Sequence, residues 1–158
     1  MKILKAPEEV RSVERPLLFL SGSIEQGRAG KWQDRLINEL SDVAGTILNP
    51  RRDDWDSSWI NEIDSPQFRE QVLWELRGLE SADVIAMYFS PETKSPITLL
   101  ELGLFARSGK LVVFCPEGFW RKGNVDIVCR RYRVTNCSSW DDFVLEVKER
   151  LKDTRRFT

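Results

Sequence analysis

Histidine is absent from this chain of 158 residues. Its absence excludes every catalytic triad built on histidine, every Cys–His nucleophile and every imidazole metal site. An enzyme of this composition that works near neutral pH draws its acid and base mainly from Asp, Glu, Lys, Tyr or Cys. The composition therefore favours chemistry carried by a pair of carboxylates.

Cysteine is scarce, and neither sign of charge dominates. The three cysteines, Cys115, Cys129 and Cys137, show no CxxC spacing, and their odd number argues against a disulfide framework. We therefore expect a reducing, cytoplasmic setting. A formal net charge of −1 provides no overall attraction for nucleic acid or for an acidic membrane.

Long apolar runs are also missing. No stretch is long enough to span a bilayer, and Met1 to Arg15 lack the apolar segment of a signal peptide. The length predicts one domain with a buried core. We assign residues 1–16 to a polar N-terminal extension and residues 17–158 to a single domain.

Short apolar runs alternate with helical patterns along the chain. Strands are predicted at residues 17–21, 45–49, 83–89, 111–116 and 132–135, and helices at 32–41, 66–81, 96–106 and 140–151. This alternation is typical of a parallel sheet with right-handed crossovers. It predicts a flavodoxin-like, doubly wound α/β fold, with five mainly parallel strands in the order 2-1-3-4-5 and helices on both faces.

The segment from Ser95 to Ala106 is the most informative part of the chain. Ser95-Pro96 is a helix start, and the helix that follows is almost wholly apolar apart from Glu101. We expect Glu101 in the first turn, just beyond the carboxyl end of a central strand, where open α/β sheets bind ligands. Carboxylates are seldom buried unless something compensates them.

Two interpretations of Glu101 are open on spacing alone. Thr98 and Glu101 fit a capping box, in which each side chain bonds the backbone amide of the other. The alternative is a nucleophile that the partial positive charge of the helix N-terminus keeps ionised.

Three loops would share the rim with this helix. Gly22-Ser23 follows the first strand and is either a ligand-approach site or an ordinary βα turn. The long polar loop 50–59 carries Trp55 and Trp59, which either stack on a planar ligand or pin the loop to the body. A third loop, 117–126, is rich in glycine and aromatic residues.

The order of these motifs resembles the nucleoside 2-deoxyribosyltransferase family from about Leu17 to the final helix. Its most specific part is Glu101-Leu102-Gly103 followed by Ser108-Gly109-Lys110. The resemblance implies that Glu101 is the nucleophile. It also implies that Glu75, on the preceding helix, handles the proton of the leaving base. The family usually has Asp at that position. The helical pattern alone predicts that Glu75 lies on a solvated helix face.

One position departs from the transferases. Ser95 stands where they often carry an acidic residue, and a sister group of hydrolases that cleave nucleoside monophosphates has serine there. Phe19 to Arg28 also resembles the first loop of those hydrolases, in which serines and a basic residue hold the phosphate. Glu25 occupies the basic position here, and a carboxylate repels a phosphate. We therefore favour an uncharged nucleoside as substrate.

The resemblance implies transfer of 2-deoxyribose between nucleobases through a covalent glycosyl-enzyme on Glu101. In the site that it implies, the serines would bond sugar hydroxyls and the glycine would let the backbone approach the ligand. The tryptophans would flank the base. The implied substrate-binding residues are Gly22, Ser23, Ser95, Trp55, Trp59, Asn124 and Asp126. The last two would complete the pocket of the same or of a neighbouring subunit.

The same resemblance bears on cofactors and partners. It implies no metal or organic cofactor, nucleosides and free nucleobases as partners, and a homo-oligomer with shared active sites. It implies neither a nucleic acid polymer nor a membrane as partner. The alternatives are an N-glycosidase that hydrolyses (deoxy)nucleoside 5′-monophosphates and a non-catalytic nucleoside- or nucleotide-binding module on the same fold.

Overall fold

The computed structural model describes residues 1–10, 13–24, 30–52, 56 and 58–153. Within these residues the strands are β1 (Lys2–Lys5), β2 (Leu17–Gly22), β3 (Thr46–Asn49), β4 (Val84–Tyr88), β5 (Leu111–Phe114) and β6 (Thr135–Cys137). The helices are α1 (Trp32–Glu39), α2 (Pro66–Ser81), α3 (Pro96–Phe105), α4 (Lys122–Tyr132) and α5 (Trp140–Lys152).

The strands form one sheet in the order β1-β3-β2-β4-β5-β6, and every neighbouring pair is parallel. Strands β2 to β6 thus take the order 2-1-3-4-5 among themselves, so the flavodoxin-like prediction is confirmed. The sixth strand, β1, comes from the segment predicted only as a polar extension. It pairs with β3 because an edge strand offers backbone N–H and C=O groups that any extended segment can bond.

Side chains alternate across the sheet and define two apolar layers. Leu17 and Phe19 of β2 pack on the face covered by α2, α3 and α4. Leu18 and Leu20 pack on the opposite face, covered by α1 and α5. By the same alternation, the polar side chain of Ser21, near the end of β2, lies on the face covered by α2 and α3.

Helix α4 is the main local difference from the sequence expectation. Residues 117–126 were expected to form a loop, but α4 begins at Lys122, and β6 begins later than predicted, at Thr135. The helix forms because Val125 and Cys129, four residues apart, are buried against the sheet. Packing of that stripe outweighs the weak helix propensity of Gly123.

The carboxyl ends of the parallel strands meet at one edge of the sheet. Gly22, Asn49, Tyr88 and Phe114 end the four central strands there. The segment before α3 starts from the same edge, which brings the predicted rim together. In the described part of the chain, no helix is both long enough and apolar enough to cross a membrane.

Candidate active site

Glu101 projects from α3 toward the end of β2. The residue is 8% exposed, and its Oε2 accepts a hydrogen bond from the hydroxyl of Ser21. Because α3 begins at Pro96, Glu101 lies in the second turn and not in the predicted first turn. The capping-box interpretation is wrong for the same reason, since Ser95 and not Thr98 occupies the N-cap position.

The charge state of Glu101 also differs from the expectation. Burial raises the pKa of Glu101 to about 7, the hydrogen bond from Ser21 lowers it, and the charge of Glu75 raises it further. The helix N-terminus does not hold the group ionised, because the influence of a helix dipole falls off beyond the first turn. Glu101 therefore exchanges its proton near neutral pH.

Glu75 is partly buried on α2 and is not a solvated helix position. Gln71, one turn earlier, donates from Nε2 to Glu75 Oε1 at 2.7 Å and to the carbonyl oxygen of Pro50 at 3.0 Å. Burial raises the pKa of Glu75 to about 6, and the bond from Gln71 opposes part of that rise.

The two carboxylates interact electrostatically, because the charge of Glu75 raises the pKa of Glu101, although burial is the larger cause of that rise. Between about pH 6 and about pH 7 the pair holds one proton. A partly desolvated pair with one protonated and one ionised member has the groups that glycosyl transfer needs, an acid and a nucleophile.

A cluster of buried hydroxyls joins the end of β2 to the segment before α3. Ser23 Oγ accepts hydrogen bonds from the backbone N–H of Ser90 and from Thr93 Oγ1, both at 2.9 Å, and it also bonds the hydroxyl of Ser95. Ser95 itself has left-handed backbone, with φ of 47°, which is uncommon for residues other than glycine. The cluster holds this sharp turn in place. That Ser23 and Ser95 also bond a sugar stays a prediction.

Gly22 is required by packing inside the protein. A Cβ at this position would lie 2.5 Å from the carbonyl oxygen of Tyr88 and 2.8 Å from the ring of Trp32. The close neighbours of Gly22 are thus the adjacent strand and α1. Its role in letting a ligand approach stays a prediction.

The loop after β3 is described only in part. Trp55 and Glu25, both used in the sequence interpretation, lie outside the described residues. Trp59 is partly buried, and the guanidinium of Arg52 lies 5.0 Å from the centre of its ring. Arg52 also lies 3.9 Å from the carboxylate of Glu70 on α2. This contact favours the interpretation in which Trp59 pins the loop to the body.

Asn124 and Asp126 lie on α4 and face different neighbours. Asn124 lines a groove of about 310 Å³ between α3 and α4, together with Leu102 and Trp120. The carboxylate of Asp126 is held by Lys122 at 2.9 Å and by the side-chain amide of Asn136 at 2.8 Å. Neither residue lies in the hydrogen-bonded network of Glu101 and Glu75, so their part in the pocket stays a prediction.

Two residues of the network, Ser21 and Gln71, were not found from the sequence. Strand alternation was the available signal for Ser21, since it falls on the same face as Phe19 at the end of a central strand. For Gln71 the signal was its spacing of four residues before Glu75 on one helix face. Neither signal states which carboxylate the side chain reaches.

The cysteines are free thiols. Burial raises the pKa of both Cys115 and Cys129 to about 12, so these thiols stay protonated near neutral pH and are poor nucleophiles. In the ranges that the structure describes, no group of three or more His, Cys, Asp or Glu side chains could hold a metal ion.

Residues 15–119 match the family described as nucleoside 2-deoxyribosyltransferase like. The chain belongs to this family. The match supports a nucleoside deoxyribosyltransferase-like function at the level of the family, and it confirms the resemblance drawn from the motifs. The stretch shared with the nucleoside 2-deoxyribosyltransferase-like proteins contains Ser21, Glu75 and Glu101. A search of curated proteins found no match.

Proposed function

We propose that the protein transfers 2-deoxyribose between nucleobases, with Glu101 as nucleophile and Glu75 as acid and base. The observation that carries the proposal is the pair of partly desolvated carboxylates, coupled by charge, at the ligand-binding edge of the sheet. Paired carboxylates are what retaining transfer at an anomeric carbon uses.

The proposed reaction has two halves. In the first, Glu101 forms a bond to C1′ while the bond from C1′ to the base breaks, and the electron pair of that bond leaves with the base. Glu75 gives its proton to the base. In the second, an incoming base attacks C1′, its N–H proton passes to Glu75, and Glu101 leaves as a carboxylate.

The reactive form needs the shared proton on Glu75. A nucleobase that covers Glu75 removes more water from it, which raises the pKa of that carboxyl. The positive charge that develops at C1′ favours ionised Glu101. Both effects move the proton from Glu101 to Glu75 as the donor approaches its transition state.

The direct test is an exchange assay. Incubation with deoxyinosine and free adenine is expected to yield deoxyadenosine. Release of base without exchange would instead identify a hydrolase, and binding of nucleosides by calorimetry without turnover would identify a non-catalytic binding module.

Exchange is expected to follow a bell-shaped pH profile, because only the singly protonated pair is active. The pKa values of about 6 and about 7 place the limbs of kcat/KM near those pH values. Activity falls below the lower limb, where both carboxyls are protonated, and above the upper limb, where both are ionised. Measurement of kcat/KM from about pH 5 to about pH 9 checks this. A flat profile would contradict the proposed pair.

A second candidate is hydrolysis of (deoxy)nucleoside 5′-monophosphates. Lys94 and Arg121 lie over the ring of Trp120, at 4.8 and 4.3 Å from its centre, on the same edge of the sheet. This local positive charge favours an anionic substituent on the substrate. Nucleoside and nucleotide donors assayed side by side separate the two candidates, since activity on monophosphates alone would select the hydrolase.

We also propose that the chain forms a homo-oligomer through the outer side of α3 and α4. Ile97, Leu100 and Leu104 form a ridge along α3, each between 57% and 59% exposed. The apolar groove between α3 and α4 lies beside this ridge. A ridge next to a groove is self-complementary under a two-fold axis, so a second copy of this chain fits the face.

A further inference from the structure

Gln71 connects Glu75 to the segment that follows β3. The residue is 4% exposed, and both hydrogens of its Nε2 are used, one toward Glu75 Oε1 and one toward the carbonyl oxygen of Pro50. Gln71 therefore fixes the carboxyl group of Glu75 relative to a backbone group on another element. Its Oε1 is buried and has no hydrogen-bond partner among the described residues.

The orientation of this amide is determined by Pro50. A backbone carbonyl only accepts hydrogen bonds, so the atom that faces it must be the nitrogen of the side-chain amide. A flipped amide would set two acceptors against each other at this buried contact. Gln71 therefore faces Glu75 only as a donor.

A donor at Glu75 Oε1 decides where the proton of this carboxyl resides. Oε1 receives an N–H from Gln71, and the carbonyl oxygen of a carboxyl accepts such a bond better than its hydroxyl oxygen does. Protonated Glu75 therefore favours its hydrogen on Oε2, which has no bond to Gln71. We propose that Gln71 is a positioning residue that directs the transferable proton of Glu75 to Oε2 and so toward the leaving base. This inference rests on the proposed function.

A charged group on another element interacts with Glu75. This group is Glu101 on α3, whose pKa the charge of Glu75 raises. Arg52, after β3, is directed to Glu70 and to the ring of Trp59. On α2 itself, Gln71 is the group that bonds it. The effect of Gln71 on Glu75 is therefore to be distinguished from that of Glu101, the carboxylate that interacts with Glu75.

The test compares two donors that differ only in their need for an acid. The base of 2′-deoxyadenosine needs a proton to leave easily, whereas the base of 7-methyl-2′-deoxyguanosine is already cationic and leaves as a neutral molecule. Gln71→Met is expected to lower the single-turnover rate of base release from deoxyadenosine by about 100-fold, the lower end of an acid-catalysis effect. For the cationic donor, that rate should stay within roughly threefold of wild type.

The same substitution at Gln67 is the matched control. Gln67 lies one turn earlier on α2 and is exposed. Gln67→Met is therefore expected to leave the rates with both donors unchanged. If Gln71→Met loses activity on both donors, the role of Gln71 is merely structural. If it loses activity on neither donor, Gln71 has no role. Each result overturns the inference. If the wild-type protein exchanges no nucleoside, the proposed function itself fails.

A measurement on the wild-type protein covers the case in which Gln71→Met does not fold. The two side-chain N–H signals of Gln71 in NMR are expected to shift with a midpoint near pH 6, the pKa of Glu75. They are also expected to exchange slowly with water, since both hydrogens are bonded inside the protein. Signals that do not titrate, or that exchange as fast as those of Gln67, would overturn the inference.

Discussion

At the scale of single residues, burial and hydrogen bonding act in opposite directions on the charge of Glu101. Burial opposes ionisation, and the hydroxyl of Ser21 is the described side chain that bonds the carboxylate. Solvent would hydrate an ionised carboxylate far better than one hydroxyl does. Ionisation of Glu101 therefore lowers the stability of the folded state.

Glu101→Gln is expected to abolish exchange and to stabilise the fold at alkaline pH. Burial raises the pKa of Glu101 from 4.5 to about 7, so the folded state binds this proton more tightly than the unfolded chain. The resulting stabilisation is complete below pH 4.5 and is lost as the pH rises to about 7. Above that pH, the free energy of unfolding of the variant should exceed that of wild type by about 3 kcal/mol.

Denaturant titrations of both proteins at about pH 5 and about pH 8 measure this difference. The control is Glu149→Gln on the exposed side of α5, which should leave exchange unchanged. An unchanged rate of exchange in Glu101→Gln would remove Glu101 from the role of nucleophile.

Ser21→Ala should weaken the proposed nucleophile, Glu101, without removing it. The hydrogen bond from Ser21 lowers the pKa of Glu101, so its loss raises that pKa and shifts the pH profile of exchange upward. A hydrogen bond to a charged group is worth about 1.5–3 kcal/mol, so kcat/KM near neutral pH should fall by about 10- to 100-fold. Ser41→Ala, at an exposed position, is the comparison. A profile with an unshifted midpoint would contradict this role.

At the scale of elements, the hydroxyl cluster holds the start of α3 against the end of β2. Thr93 Oγ1 donates to Ser23 Oγ and bonds Ser95 Oγ at 2.7 Å. These bonds fix the turn that precedes α3, and α3 carries Glu101. The position of Glu101 thus depends on side chains that do not touch it.

Thr93→Val and Thr46→Val test the cluster as a matched pair. Both threonines are buried, but the hydroxyl of Thr46 has no hydrogen-bond partner among the described residues. We expect Thr93→Val to lower the free energy of unfolding by about 1–3 kcal/mol, because it leaves buried partners unsatisfied. Thr46→Val should be neutral or stabilising. Thermal unfolding measures both, and equal losses in the two variants would contradict the assignment.

At the scale of the whole molecule, the two sides of the sheet differ in what their helices expose. The outer side of α3 carries three apolar residues in a row of helical spacing, and α4 adds Ile127 at 72% exposure. Contiguous apolar surface of this kind marks contact sites more often than it marks free surface. The face belongs to the same helix as Glu101.

Leu100→Asp is expected to convert an oligomer into a monomer, because it places a charge in the centre of an apolar contact. Leu145→Asp on α5 is the matched control, since Leu145 is 56% exposed and Leu100 is 59% exposed. Light scattering coupled to size exclusion gives the mass of each variant. A wild-type protein that is already monomeric at high concentration would rule out the proposed contact.

Local sequence patterns determined the layout of this fold. Apolar runs of strand length alternate with helical stripes, and this alternation set the order of the five predicted strands and their parallel pairing. The start of α3 at Ser95-Pro96 was also readable, because a proline in the first helical turn acts through its own backbone. The motif around Glu101 pointed to the family for the same reason, since its residues are neighbours in the chain.

Contacts between distant residues were decided only by the tertiary structure. Ser21 and Glu101 are 80 positions apart, and Gln71 and Pro50 are 21 apart. The local periodicity of the sequence does not indicate which side chains meet across a sheet edge. Helix α4 shows the same limit, because burial of Val125 and Cys129 overrides a weak local propensity. The pKa of Glu101 is likewise a property of what surrounds it, since desolvation depends on atoms from several elements packed together.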